Sequence, residues 1–153
     1  MASVKTQGTQ LYFIDGGTVK TMTCPTGVTG LGGSRDQIET TCLNDTDDKT
    51  YVSGLGNPGQ VSVPFVFDTT AADHKLLLAL HDSGAVTDWM IGFSDGTTTP
   101  TVVSGQLSMA TTRTAASFDA FVADINIDIA TNEIVRGTMT LQRTGTVGWT
   151  WKV

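Results

Sequence analysis

The stretch Phe118-Asp-Ala-Phe-Val-Ala-Asp-Ile-Asn-Ile-Asp-Ile129 decides the class of fold. Ile125, Ile127 and Ile129 alternate with Asp124, Asn126 and Asp128, a period of two that an extended strand with one dry and one wet face satisfies. Thr131-Asn132 marks a turn, and Ile134 to Arg143 is expected to return as the antiparallel partner. A strand face made of acids and an amide also suits the wall of an aqueous lumen. Asp124, Asn126 and Asp128 are therefore the first candidate site residues, ahead of a glycosidase-like pair of carboxylates.

Working outward, Gln60 to Asp68 alternates with Val61, Val63, Phe65 and Phe67 on one face. Pro64 removes one backbone donor, so this strand belongs at an edge or a bulge. Leu11-Tyr-Phe-Ile14, Asp15-Gly16-Gly17 and Thr18 to Thr23 read as strand, turn and strand, and Asp36 to Leu43 as a further strand. Val86 to Ser94 and Val102 to Ala110 are expected to form another hairpin across Asp95-Gly96, and Trp149 to Val153 a last alternation. One helix is expected over 70–82, because Thr70-Ala-Ala-Asp73 has the form of a capping box and Leu76, Leu77 and Leu80 make an apolar stripe before Gly84. The sum is roughly seven to nine strands and one helix: a mainly β chain of two packed antiparallel sheets, sandwich or barrel, flanked by an α-helix. At 153 residues it is read as a single domain, 1–153, with a polar N-terminal arm over 1–10.

One stretch refuses the pattern. From Asn44 to Gly59 the chain runs NDTDDKTYVSGLGNPG, with acids, Gly and Pro where a core strand needs alternating apolar residues. It reads as a long loop or a protruding hairpin. Loops of this length are uncommon in compact domains unless they are functional or disordered. Tyr51, Val52 and Leu55 mark something that becomes ordered.

The rest of the sequence mainly excludes chemistry. The net charge is −6 and the nine basic residues stand singly, which disfavours a phosphate-binding surface and leaves them expected at the solvated surface. There is no apolar run near the roughly 20 residues a bilayer requires and no secretory leader pattern, so no membrane and synthesis in a cytoplasm are expected. Cys24 and Cys42 are expected as buried free thiols rather than a disulfide. His74 and His81, seven apart, are ill-spaced for a metal and expected as ordinary, partly exposed helix residues. Asp45, Asp47 and Asp48 open a calcium-like run, but loop positions six and twelve fall on Thr50 and Gly56 instead of Gly and Glu. Neither Gly30-x-Gly32-Gly33 nor Gly54-x-Gly56 leads into a helix as a phosphate loop does. No nucleophile elbow is present. A structural role with no enzymatic activity, no metal and no cofactor is the expectation. Trp89, Trp149 and Trp151 are candidates for a sugar-stacking platform, as in a carbohydrate-binding module, or for core and interface anchors.

Two local stretches carry a resemblance: Asp36-Gln-Ile-Glu-Thr-Thr-Cys-Leu43, within Gly30 to Leu43, and Gly54-Leu-Gly-Asn-Pro-Gly-Gln-Val-Ser62. Together with the order of arm, hairpin, long loop and helix, they resemble the tail tube proteins of bacteriophages with long, non-contractile tails. The resemblance implies a virion protein, assembled in the host cytoplasm, that self-assembles into stacked hexameric rings forming a hollow tube. DNA would pass through the lumen without specific binding, and a tape-measure protein and a tail chaperone or terminator would be partners. A tail-tip or contractile-system inner tube component is the neighbouring alternative. In that family the long loop reaches the next ring, which makes Asn44, Asp45, Asp47, Asp48, Lys49, Tyr51, Val52, Leu55 and Asn57 the inter-ring candidates. Because the chain ends at Val153 directly after its last expected strand, no C-terminal immunoglobulin-like decoration is expected.

Overall fold

The computed structural model describes residues 3–153; Met1 and Ala2, the first two residues of the expected arm, lie outside the described residues. The elements run β1 (Gln10–Asp15), β2 (Thr18–Thr21), β3 (Ser34–Glu39), β4 (Tyr51–Asn57), β5 (Gln60–Val66), α1 (Ala72–Ser83), β6 (Thr87–Gly92), β7 (Thr101–Val103), β8 (Gln106–Ser108), β9 (Ala115–Asp128) and β10 (Arg136–Thr150). Six strands form one antiparallel sheet in the order β2-β1-β6-β9-β10-β5, while β3-β4 and β7-β8 each form a separate two-stranded sheet. The mainly β, antiparallel architecture with one helix is thus the one the alternation implied.

The β1–β2 hairpin pairs Asp15 with Thr18 across Gly16 and Gly17. Both glycines have positive φ, 57° and 78°, as a two-residue turn that matches strand twist requires. At the centre, β9 and β10 pair from Asp128–Arg136 to Ala115–Thr150. One face of the sheet is the core. Leu11 and Phe13, Trp89 and Ile91, Phe118 and Val122, Met139 and Leu141, and Val61, Val63 and Phe65 are all buried in one cluster. Side chains of this size each contribute about 1.5–3 kcal/mol when removed from water. Phe13 and Trp89 stack at 5.1 Å, and the Trp89 Nε1–H donates to the Ala120 carbonyl at 3.3 Å, so the one polar atom of that ring is satisfied. Helix α1 lays Leu77 into the same cluster, with Leu76 and Leu80 beside it. The opposite face is partly covered as well, where Leu107 and Met109 pack on Tyr12, Met90 and Ala115.

The sheet comes close to closing on itself. After β2 the chain crosses to the outer edge of β5, where Thr26 N–H donates to Pro64 O at 2.8 Å and Thr29 and Ser62 exchange bonds of 3.0 and 2.9 Å. Gly30 makes the approach possible, since a Cβ there would lie 2.1 Å from the Gln60 carbonyl oxygen. Pro64 sits, as expected, on an edge strand, and the donor it lacks points towards this irregular crossover instead of a regular ladder.

Several expectations are corrected by contacts distant in sequence. The capping box does not form: the Thr70 hydroxyl and N–H both donate to Asp68 Oδ1, at 2.7 and 2.9 Å. Asp73 reaches across to accept from the Thr23 N–H and hydroxyl at 2.6 and 2.8 Å. The helix consequently starts at Ala72 with Ala71 as an uncapped N-cap, and stops at Gly84 in the left-handed conformation. His74 is buried, not partly exposed; its Nδ1 accepts the Asp68 N–H at 3.0 Å and its Nε2 faces the Thr23 carbonyl at 2.8 Å, which places the proton on Nε2. Val86 to Ser94 does not pair with Val102 to Ala110, because β1 and β9 occupy both edges of β6. Asp95 is used to accept from the Thr114 N–H at 3.0 Å, and β7 and β8 pair with each other around Ser104 and Gly105. Trp149 and Thr150 prolong β10 and form no separate strand. Cys24 and Cys42 are free but exposed. Two of the arginines expected in solvent, Arg113 and Arg143, are buried.

Candidate assembly surfaces

The residues from Ser34 to Asn57 leave the body as a hairpin. Register runs from Ser34–Asn57 through Ile38–Val52 to Glu39–Tyr51, with an irregularity between Arg35 and Gln37. The stretch expected as a long loop or a protruding hairpin is the latter: it is strand over Tyr51–Asn57, and its acidic half, Asn44 to Thr50, lies in the tip. The tip holds itself: Cys42 N–H donates to Asp45 Oδ2 at 2.7 Å, Thr40 N–H to Thr50 O at 2.8 Å, and Thr50 N–H to Thr41 Oγ1 at 3.0 Å. Every β3 residue is exposed, and Ile38, Tyr51, Val52 and Leu55 show between half and 85% of their surface to solvent. The Lys49–Glu39 pair, 3.9 Å apart and open to water, adds little. An isolated two-stranded hairpin is marginally stable in water, and this one lacks a third layer.

The hairpin is instead fixed at its root. Arg143, buried on the core side of β10, donates Nη2 to the carbonyls of Gly32 and Pro58, one on each stem immediately outside the strands. Next to it, the Gln142 side-chain amide donates to Gly59 O at 3.1 Å and the Arg143 N–H donates to the same oxygen at 3.3 Å. Gly33 lets the stems close, because a Cβ there would meet Asn57 O at 2.7 Å. Asn57, counted among the contact candidates, is at this root, and its side-chain oxygen accepts from Gly59 N–H at 3.3 Å. Burial pushes the Arg143 pKa down, and its Nε finds no partner. No sequence signal marked Arg143, because its partners are backbone carbonyls far along the chain.

A second buried arginine fastens the N-terminal arm. Arg113 donates Nε to Phe93 O at 2.7 Å, Nη1 to the Tyr12 hydroxyl at 2.8 Å and Thr98 O at 2.9 Å, and Nη2 to Gly92 O at 3.0 Å and Gly8 O at 3.2 Å. The Ser94 hydroxyl also donates to Lys5 O. From Lys5 onward the arm is tied to the body, which its polar composition did not announce.

Asp124, Asn126 and Asp128 are exposed on one face of β9, opposite Thr140, Thr138 and Arg136. The Asn126 amide donates to Asp128 Oδ1 at 3.1 Å. No strand pairing joins β9 to the β3–β4 hairpin, which forms its own sheet. Beyond the end of β6, residues 121–128 of β9 have no strand on that side, and beyond β5 the same holds for residues 143–150 of β10. The three tryptophans do not form one platform: Trp89 is in the core, whereas Trp149 and Trp151 stack on each other at 5.3 Å at the surface. Among the described residues no three His, Cys, Asp or Glu side chains gather as a metal site, and no helix is long and apolar enough to cross a membrane.

The described residues thus leave stretches of β9 and β10 without a neighbouring strand and a hairpin with exposed Ile38, Tyr51, Val52 and Leu55. The family model for lambda-like phage tail tube proteins matches residues 2–153, and the chain belongs to that family. It is 39% identical over 151 residues to structural protein 3 of Pseudomonas phage PAJU2, covering 93% of this chain and 90% of that protein. Its fold is similar to that of the SPP1 tail tube, with a TM-score of 0.70 at 12% identity over 99% of this chain and 81% of the other. It is also similar to a chain of the sheath/tube terminator of the PVC extracellular contractile injection system, TM-score 0.70 at 14% identity over 97% of both. A chain of the native gene transfer agent virion matches with a TM-score of 0.66 at 13% identity, over 92% of this chain and 95% of that one. The protein is a structural subunit of a phage tail tube, a component of the virion tail.

Proposed function

We propose that this subunit has no catalytic role and polymerises into stacked hexameric rings that enclose a conduit for DNA, with the β3–β4 hairpin as the ring-to-ring connector. The observation that carries the reading is a seven-residue strand, Tyr51–Asn57, that exposes Tyr51, Val52 and Leu55 and has only β3 beside it. A hairpin of this kind gains stability when another copy supplies the missing layer. The open edges of β9 and β10 would join neighbours within a ring, since edge-to-edge pairing around a closed ring removes both. Asp124, Asn126 and Asp128 would face the lumen, where fixed negative charge keeps the DNA backbone from adhering. A terminator, a chaperone and a tape-measure protein complete the set of partners.

Electron microscopy of the purified chain tests this. Tubes of many stacked rings are expected, and replacing Thr41–Lys49 with a short Asn-Gly turn should leave a folded subunit that no longer elongates. Tubes of normal length from the shortened hairpin would overturn the connector assignment. A product that stops at one or two rings would favour a terminating component of the same fold.

A further inference from the structure

Beside the root of the hairpin lies a groove of about 850 Å³. One wall is a ladder of three aromatic rings, Phe93, Trp149 and Trp151, with centroids 6.0 and 5.3 Å apart and planes within 13° and 10° of parallel. Trp149 is 45% and Trp151 64% exposed, so two large aromatic faces stand open to water. Val28 and Leu31 also line it, with the buried Leu11 and Ile91 and, along the rim, the arm from Val4 to Thr9. That rim is fixed by Arg113 and Ser94, so the groove is preformed. In a chain with fifteen acidic residues, no Asp or Glu lines the groove, and among the described residues Lys5 is its one ionisable lining residue.

The hairpin has the complementary character. It carries five acids, Asp36, Glu39, Asp45, Asp47 and Asp48, against Arg35 and Lys49, and it exposes Ile38, Tyr51, Val52 and Leu55. None of its residues lines its own chain's groove. We infer that the groove between the Trp149–Trp151 ladder and the N-terminal arm is the socket for the β3–β4 hairpin of a neighbouring copy of this chain. This rests on the reading of the hairpin as the connector and names the surface that receives it. Leu55 and Val52 would pack on the exposed indoles, which as rigid aromatic anchors suit the centre of an interface. The acidic tip would pass the Lys5 rim. Plug and socket are different patches of one chain, so each copy still offers a free socket when its own hairpin is engaged. Such a heterologous contact repeats without limit unless rotation closes it, which is what tube growth requires.

Photo-leucine in place of Leu55, which keeps the size and apolar character of the side chain, irradiated in assembled tubes and mapped by mass spectrometry, tests the pairing. Cross-links to peptides containing Trp149–Lys152 or Val4–Thr9 of another copy are expected. Cross-links to any other surface of a neighbour would overturn the socket and leave the connector reading intact, and tubes with no inter-copy cross-link would overturn both. A second measurement uses Trp151→Asp, which places a charge in the socket at an exposed position where folding is little affected. Elongation should slow at least tenfold with an unchanged melting temperature, while Trp151→Phe should retain growth. Normal elongation of Trp151→Asp would overturn the socket.

Discussion

Strands β4 and β5 follow one another with only Pro58 and Gly59 between them, and each has seven residues. Their fates differ completely. β5 buries Val61, Val63 and Phe65 to 3% exposure or less, whereas β4 leaves Leu55 85% exposed. Both contain enough branched and aromatic residues to be strands. The difference lies in what stands behind them: β5 has β10 on one edge and the full core on one face, while β4 has a single partner strand and no covering layer. Extended structure is therefore set locally in both, but burial is supplied within the chain only to β5. In β4 the same kind of side chain is free for another molecule.

The largest effect expected from this contrast comes from truncating one residue on each side of it. Phe65→Ala should cost about 3–5 kcal/mol in urea unfolding, because it removes a buried ring and leaves a cavity over Gly137, where a Cβ would sit 2.6 Å from the ring. Leu55→Ala should change subunit stability by less than about 0.5 kcal/mol and yet abolish tube growth. Comparable destabilisation by the two changes would mean that the hairpin packs on its own body and would break the comparison.

An intermediate effect is expected at the boundary between the two strands, where Arg143 grips Gly32 and Pro58. Arg143→Met keeps a long apolar stem but leaves both carbonyls without that donor, a loss of about 1–3 kcal/mol. Its signature is regional. Amide exchange at Ile38 and Val52 should accelerate while that at Val63 and Met139 stays close to the parent, and tubes should elongate more slowly. Uniform acceleration across the sheet would show that Arg143 supports the core as a whole, not the hairpin's attachment.

How much of this was legible in the sequence follows the same division. Alternation over Gln60–Val66 and Phe118–Asp128 marked the core strands, because a dry face imposes a period of two that nothing else in the chain imitates. The polar run from Asn44 marked an unusual surface, but its strand was hidden by Gly54 and Gly56. Its partner also lies across an irregular tip that breaks any simple hairpin spacing. The pairing of β6 with β1 and β9 was illegible for a similar reason: Asp95-Gly96 has turn chemistry, yet Asp95 is taken by Thr114, nineteen positions away. Arg113 and Arg143 looked like solvated cations because their acceptors are main-chain carbonyls, which carry no sequence identity. Trp149 and Trp151 were candidates for a sugar platform or for anchors, and their separation from Trp89 needed the fold.

The smallest effect expected lies wholly in the body. Asp88 on β6 and Asp119 on β9 face each other directly, under the β7–β8 hairpin, whose Leu107 N–H donates to Asp88 Oδ2 at 2.7 Å. Burial raises the Asp88 pKa, the Leu107 hydrogen bond opposes that shift, and the Asp119 charge adds to it. A carboxyl whose folded pKa is raised favours the protonated form in the fold. Its contribution to stability is therefore fully present below the ordinary value of 3.8 and is lost as pH rises through the folded value. Asp119→Asn removes the like charge and spares the Leu107 bond. It should stabilise the subunit at neutral pH by on the order of 0.5 kcal/mol, the scale of a partly solvated charge pair, and this gain should vanish as pH falls to about 4. Thermal melting of the parent and the variant across that range measures it, and a gain that persisted in acid would assign the effect to packing. Asp119 pairs with Thr144, beside Arg143, but on the face of the sheet opposite the Arg143 side chain, so amide exchange at Ile38 and Val52 should not respond. The body of the subunit can then be stabilised without altering the β3–β4 hairpin.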